Sequence, residues 1–289
     1  MERHRRHVVV ESDDGQRVSC KSRKRSLGPL VGDRVAWQLE ADGTGIVNEI
    51  VDRRSTLNRI DSRGKPEPIA ANLSQLIVVT AAVPNPDWSL LDRYLVGAET
   101  QHLKALIVFN KTDLLPQPPV ELQTYRKIGY SVFATSAKRG DGLVELAQAM
   151  RGERSAMVGQ SGVGKSSLIN ALLGETRQSV GALTEKGRQG RHTTTSTALY
   201  RLAGGAELVD SPGVRSYAPY LEDPRDLAFG FKEFQAQLGQ CRFDNCRHMA
   251  EPDCAIKLAC ERGAIDTRRY ESYATLLGTL DQLRERTQP

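Results

Sequence analysis

One glycine-rich run, GQSGVGKSS from Gly159 to Ser167, restricts this chain more than any other stretch of its sequence. It fits G-x-x-x-x-G-K-[ST], with Gly159, Gly164, Lys165 and Ser166 at the fixed positions and Gln160, Ser161, Gly162 and Val163 between them. Such a turn points backbone N–H groups at phosphate oxygens while the lysine neutralises their charge. The motif has this meaning only where a strand feeds a helix N-terminus. SAMV before it has the composition of a short buried strand, and SLINALL after it has helical spacing, so both flanks are present. A phosphate-binding α/β layer is therefore expected around residue 160.

The grammar on either side is not uniform. From Val8 to about Arg59 the text is short and β-rich (HVVVE, QRVSC, DRVAWQLE, GIVNEI, STLNRI), as in a small all-β barrel or sandwich. DSRGKPEPIAAN, with Gly64, Pro66 and Pro68, reads as a linker. Strands then alternate with helices from LIVVTAA to AELVD, which predicts a parallel sheet covered by helices. Beyond Pro212 the pattern turns helical. It ends in TRRYESYATLLGTLDQLRER, whose Tyr270, Tyr273, Leu276, Leu277, Leu280 and Leu283 form one apolar stripe.

Only 6% of residues are aromatic, so aliphatic packing must carry the cores. The formal charge of +5 is concentrated early: Arg3, Arg5, Arg6, Arg17, Lys21, Arg23, Lys24 and Arg25 outnumber the acidic residues of the first thirty positions, which suits phosphate contacts or a solvated face. Neither the opening segment nor the longest apolar run, Leu76 to Val83, has the length of a secretory signal core or a membrane span. A cytoplasmic protein without a membrane partner is expected. The odd number of cysteines, mostly after position 240, fits a reducing compartment.

NKTD, Asn110 to Asp113, follows the buried-strand pattern KALIVF. A carboxylate at Asp113 can accept from N1–H and the 2-amino group of guanine, donors that adenine lacks. Asn110 would tie this loop to the phosphate loop, and the Lys111 stem would lie over the base. SAK, Ser136 to Lys138, follows the next strand and offers the Ala137 N–H to the guanine oxygen. DSPG, Asp210 to Gly213, ends AELV; Asp210 can hold a magnesium shell through water, and the Gly213 N–H can reach a γ-phosphate. Ser166 is the expected direct magnesium ligand. GRQGRHTTT, from Gly187, is the candidate first switch, with Thr194 the preferred second magnesium ligand and Thr193 the alternative. Val214 follows DSPG and cannot orient water. His192 is the nearest candidate by sequence for that task, although it could equally touch RNA phosphate or solvent, or a macromolecular partner could reorder the site.

Cys241, Cys246, His248 and Cys254 follow as C-x4-C-x-H-x5-C, a donor set suited to one closed, structural zinc site. Cys260 is the spare, expected to pack in the helix after Ala255 or to replace Cys254 as ligand. Cys20 is expected to pack in the first domain.

In chain order the guanine loop precedes the phosphate loop, the reverse of the usual arrangement in GTP-binding proteins. Together with GRHTTT, DSPGV and the cysteine group, this order resembles the circularly permuted ribosome-associated GTPases of the RsgA or YjeQ family. The resemblance implies three domains: an N-terminal OB-fold that binds RNA (1–68), a circularly permuted α/β P-loop GTPase domain (69–221) and a mainly helical zinc domain (222–289). It further implies a monomer that cycles between GTP and GDP. Turnover would be slow alone and stimulated by the small ribosomal subunit, whose 16S rRNA the flanking domains would contact during late maturation. Because the second switch, near Val214 to Pro219, leads into the zinc-bearing segment, hydrolysis is expected to loosen the RNA-binding arrangement.

Overall fold

The computed structural model describes residues 3–4, 7–12, 14–22, 28–61, 65–115, 117–174, 198–202, 204–210 and 217–285. The β-rich start forms a five-stranded sheet from β1 (Arg3–His4), β2 (His7–Glu11), β3 (Arg17–Ser22), β4 (Val35–Leu39) and β5 (Gly45–Ile50), ordered β1-β2-β3-β5-β4. All pairs are antiparallel except β3 with β5. Alternation along β3 turns Val18 and Cys20 inward, where they meet Val8, Val10 and Val47 in a small aliphatic core. Cys20 is fully buried there, as its place on a strand implied.

The segment read as a linker is instead half of a hairpin. β6 (Thr56–Ile60) pairs antiparallel with β7 (Pro66–Ala71), and the boundary expected at residue 68 falls inside β7. Pro66 and Pro68 stand opposite Ile60 and Asn58 in a two-stranded sheet. Among the described residues β6 is the sole partner strand of β7, so positions lacking an N–H are tolerated. Leu57, Ala70 and Ala71 are completely buried, so the hairpin is part of the packed body.

Six further strands form the central sheet: β8 (Gln75–Ala81), β9 (Lys104–Asn110), β10 (Ser131–Ala134), β11 (Arg154–Gly159), β12 (Ala198–Arg201) and β13 (Glu207–Asp210). Their order is β10-β9-β8-β11-β13-β12, parallel except at the β12 edge. Every residue of β8 is buried, and successive side chains serve opposite faces. Leu76 and Val78 join Ile107 and Phe109 under α1 (Trp88–Thr100) and α2 (Glu121–Ile128). Ile77, Val79 and Ala81 join Leu106 and Val108 under α3 (Leu143–Ala149) and α4 (Lys165–Leu173). Each such buried aliphatic side chain contributes about 1.5–3 kcal/mol. The chain runs outward from β8 through β9 to β10, then returns to the other side of β8 at β11. That reversal opens a crevice at the carboxyl ends of β8 and β11, where open α/β sheets bind ligands.

The C-terminal part packs 3-10 turns at Pro224–Gly230 and Lys232–Phe234 against α5 (Ala255–Glu261) and α6 (Thr267–Glu285). Tyr273, Leu276, Leu277 and Leu280 of the apolar stripe are buried, with Tyr270 and Leu283 at its margin. The same core includes Val96 of α1, so it is continuous with the central layer. Among the described residues, no helix is long and apolar enough to cross a membrane.

Candidate functional site

The phosphate loop leaves β11 at Gly159, whose φ of 136° suits glycine, and any Cβ there would overlap the Val79 carbonyl oxygen of β8. It enters α4 at Lys165, leaving Ser166 and Ser167 exposed in the first helical turn, where amides point outward. Lys165 Nζ donates to the carbonyl oxygens of Gly159 and Gln160, each at 2.8 Å. The ammonium thus spans the mouth of the loop. Burial pulls its pKa below the ordinary lysine value, and the Asp210 carboxylate at the end of β13 opposes that shift.

The Asn110–Asp113 loop joins it directly. Asn110 ends β9 and is 1% exposed. Its Nδ2 donates to the Val163 carbonyl oxygen at 2.9 Å, and its Oδ1 accepts from the Ala137 N–H at 3.2 Å and the Thr135 hydroxyl at 3.3 Å. One side chain therefore connects all three loops. Gly164 permits this approach, since a Cβ there would stand 2.5 Å from Asn110 Nδ2. Lys111, in the left-handed region at φ 61°, donates to the carbonyl oxygens of Gly162 at 2.6 Å and Val83 at 2.7 Å. The Asp113 carboxylate accepts from the Ser136 hydroxyl at 2.7 Å, which holds its pKa below the usual carboxylate value. It is ionised and half-buried, with Lys138 exposed beside it.

The Ala137 N–H, expected at the guanine oxygen, is engaged by Asn110 in this structure. His192, Thr193, Thr194 and Gly213 lie outside the described residues. Sequence reading missed Val83 and Thr135. Both act through groups that carry no motif signature, a main-chain carbonyl and a buried hydroxyl.

The second cluster is more compact. The donor atoms of Cys241, Cys246, His248 and Cys254 all lie within 4.8 Å of one another. Thiolates at about 2.3 Å and an imidazole at about 2.05 Å from a tetrahedral ion imply S···S separations of about 3.8 Å and S···N of about 3.5 Å. Cys241 Sγ and Cys254 Sγ are 3.9 Å apart, and His248 Nδ1 is 3.5 and 3.4 Å from them. The donor set fits zinc. Burial pushes the Cys246 thiol up to about 12 and lowers the His248 pKa; a cation at the centre would reverse the thiol shift by favouring thiolates. The hydroxyls of Tyr270 and Tyr273 donate to the carbonyl oxygens of His248 and Arg247, at 2.7 and 2.8 Å, and fix the ligand loop on α6. Cys260 is not in the cluster; its Sγ faces Thr267 Oγ1 at 3.8 Å.

Known proteins share this arrangement over almost its whole length. A family model described as RsgA GTPase matches residues 50–219. A small ribosomal subunit biogenesis GTPase RsgA from Chromohalobacter salexigens is 45% identical over 283 residues, covering 95% of this chain and 83% of that protein. Its namesake from Azotobacter vinelandii is 41% identical over 284 residues, with coverage of 95% and 83%. The crystal structure of YjeQ from Thermotoga maritima superposes with a TM-score of 0.72 at 33% identity, covering 96% of this chain and 95% of that one. YloQ, described as a circularly permuted GTPase, gives 0.69 at 30% identity, with coverage of 96% and 91%. The Asn110–Asp113 loop precedes the Gly159–Ser167 loop in sequence yet closes on it in space, and the chain belongs to the RsgA GTPase family.

Proposed function

We propose that this chain binds GTP between the phosphate loop and the Asn110–Asp113 loop and hydrolyses it in the service of small ribosomal subunit biogenesis. The observation that carries this reading is the bridge made by Asn110, which draws Val163 of one motif and Ala137 of another onto a single buried side chain. Asp113 reads the guanine edge, Lys111 lies along the base, and the loop from Gly159 to Ser167 with Lys165 cradles the phosphates.

Magnesium would be held by the Ser166 hydroxyl and Thr194, with Thr193 as the alternative, and by Asp210 through water; when bound it neutralises charge on the β- and γ-oxygens. This chain's own residues supply the rest. Lys165 moves from its two carbonyl partners to the phosphates, the Gly213 N–H reaches the γ-phosphate, and His192 orients water because Val214 cannot. Zinc at Cys241, Cys246, His248 and Cys254 has a structural role, since four protein donors leave no open position.

The OB-fold region (1–68) and the zinc region (222–289) flank the GTPase region (69–221) and contact 16S rRNA, with GTP favouring the bound state and GDP release. The protein acts as a cytoplasmic monomer late in subunit maturation. The test is GTP turnover with and without purified small subunits. Stimulation of about 10³ or more supports the reading. Unchanged turnover would leave nucleotide binding without subunit-coupled hydrolysis and would contradict it.

A further inference from the structure

The phosphate loop and the hairpin that carries the N-terminal barrel are joined by two stacked tyrosines that no motif announces. Tyr94 of α1 is 1% exposed and borders a small cavity with Thr80, Gly159 and Gln160, directly behind the phosphate loop. Its ring stacks on Tyr217, with centroids 4.5 Å apart and planes at 21°. Tyr217 is completely buried and stands just after the DSPGV segment in the chain. The close approach depends on Gly97, where a Cβ would overlap the Tyr217 ring.

From Tyr217 the contacts run onward to β6. Its hydroxyl donates to the Asn58 carbonyl oxygen at 3.2 Å. The Ile60 N–H donates to the Ala218 carbonyl oxygen at 3.0 Å, and Arg59 bridges Pro219. β7 then holds the barrel: the Ala71 N–H donates to the Val31 carbonyl oxygen at 3.0 Å, and Asn72 Nδ2 donates to that of Gly32 at 3.0 Å. Every step is a packed or hydrogen-bonded contact, and close-packed interiors change by switching between discrete arrangements rather than by yielding smoothly.

We propose that the Tyr94–Tyr217 stack is a positioning pair that carries the state of the phosphate loop to the β6–β7 hairpin, so that the N-terminal barrel, not the zinc-bearing segment, answers to the bound nucleotide. The proposal rests on the reading that the loop from Gly159 to Ser167 binds GTP. The zinc-bearing segment is clamped to α1 itself by a buried ion cluster in which Arg269 meets Asp92, so it stays with the central layer while the hairpin answers. A nucleotide can bias the hairpin only through unequal affinity for its two arrangements, and the covalent continuity from DSPGV to Tyr217 supplies a means.

The test is hydrogen exchange on the full zinc-loaded chain with GDP and with a non-hydrolysable GTP analogue. Exchange at residues 56–60 should differ between the two nucleotides by about fivefold or more, while residues 267–285 exchange alike. Tyr217→Leu should abolish the difference without changing nucleotide affinity by more than about threefold. Tyr217→Phe, which retains the stack and the Ile60–Ala218 hydrogen bond but loses the bond to Asn58, should leave a smaller difference. Equal exchange at residues 56–60 in the unmutated chain, or a difference that survives Tyr217→Leu, would overturn the proposal. The unmutated comparison decides even where Tyr217→Leu does not fold. Failure of that chain to bind either nucleotide would instead overturn the reading of the site, and this route with it.

Discussion

Arg269 of α6 is completely buried and places Nη1 2.7 Å from Oδ1 of Asp92 on α1, a residue itself only 1% exposed. Its Nε reaches Glu233 Oε1 at 2.6 Å. Asp92 also accepts from Arg268 at 2.8 Å, Ser272 at 2.6 Å and the Tyr125 hydroxyl at 2.5 Å. The cluster therefore locks the helix that packs on the zinc loop to a helix that covers the central sheet. Its charges are matched and its lone pairs used, the condition under which buried ions can persist.

Arg269→Met is expected to cost about 3–5 kcal/mol, because Asp92 and Glu233 would remain buried without their shared counter-charge. Arg269→Lys should also destabilise, since one ammonium cannot reproduce the fork toward two carboxylates. Urea unfolding of the zinc-loaded protein measures both. A loss below about 1 kcal/mol for the methionine variant would show that the cluster does not hold the two layers together.

That hub was not legible in the sequence, whereas the meeting of the Gly159–Ser167 and Asn110–Asp113 loops was. Gly159 to Ser167 and Asn110 to Asp113 are contiguous, and their chemistry dictates residue type at each position. Asp92, Tyr125, Glu233 and the Arg269–Ser272 turn of α6 lie on four separate elements, and an arginine beside an amphipathic stripe reads as solvated until the partner helix is known. Pro66 and Pro68 misled in a related way. Proline argues against a strand with partners on both sides, but the lack of an N–H costs little in a two-stranded hairpin. The cysteine cluster was legible because its donors fall within a short span, and packing then separated Cys254 from Cys260.

Asn110→Ala should weaken the fold and the site together. It leaves the Val163 carbonyl and Ala137 N–H without their partner, at about 1–3 kcal/mol, and frees the base loop from the phosphate loop. Paired denaturation and GDP titration check this. Loss of stability with unchanged GDP affinity would mean that the loops need no common anchor to bind nucleotide.

Asp113→Asn should exchange an acceptor for a donor and favour xanthine, which carries a carbonyl where guanine has its amino group. GTP affinity is expected to fall about tenfold or more relative to XTP. The pH dependence has a defined sign. Because the folded carboxylate titrates below its ordinary 3.8, base selectivity should stay level from neutral pH down to that value and disappear only as pH falls further. Competition titrations across pH measure it, and a decline beginning near neutrality would assign base reading to another group.

Zinc should govern thiol reactivity. In the metal-loaded protein Cys260, half-exposed and outside the cluster, should react alone; Cys241, Cys246 and Cys254 should join it after chelation, and buried Cys20 only on unfolding. Timed alkylation followed by peptide mass analysis distinguishes the three classes of behaviour. Equal labelling of the cluster before and after chelation would remove zinc from the account.

The most direct measurement is displacement of a fluorescent GDP analogue from the zinc-loaded chain, with magnesium present, by GTP, GDP and ATP. GTP and GDP should compete while ATP is weaker by about a hundredfold or more, and Lys165→Ala should lose affinity for all three. Equal displacement by ATP, or full binding by Lys165→Ala, would contradict a single pocket in which Asp113 reads the base and the loop at Lys165 holds the phosphates.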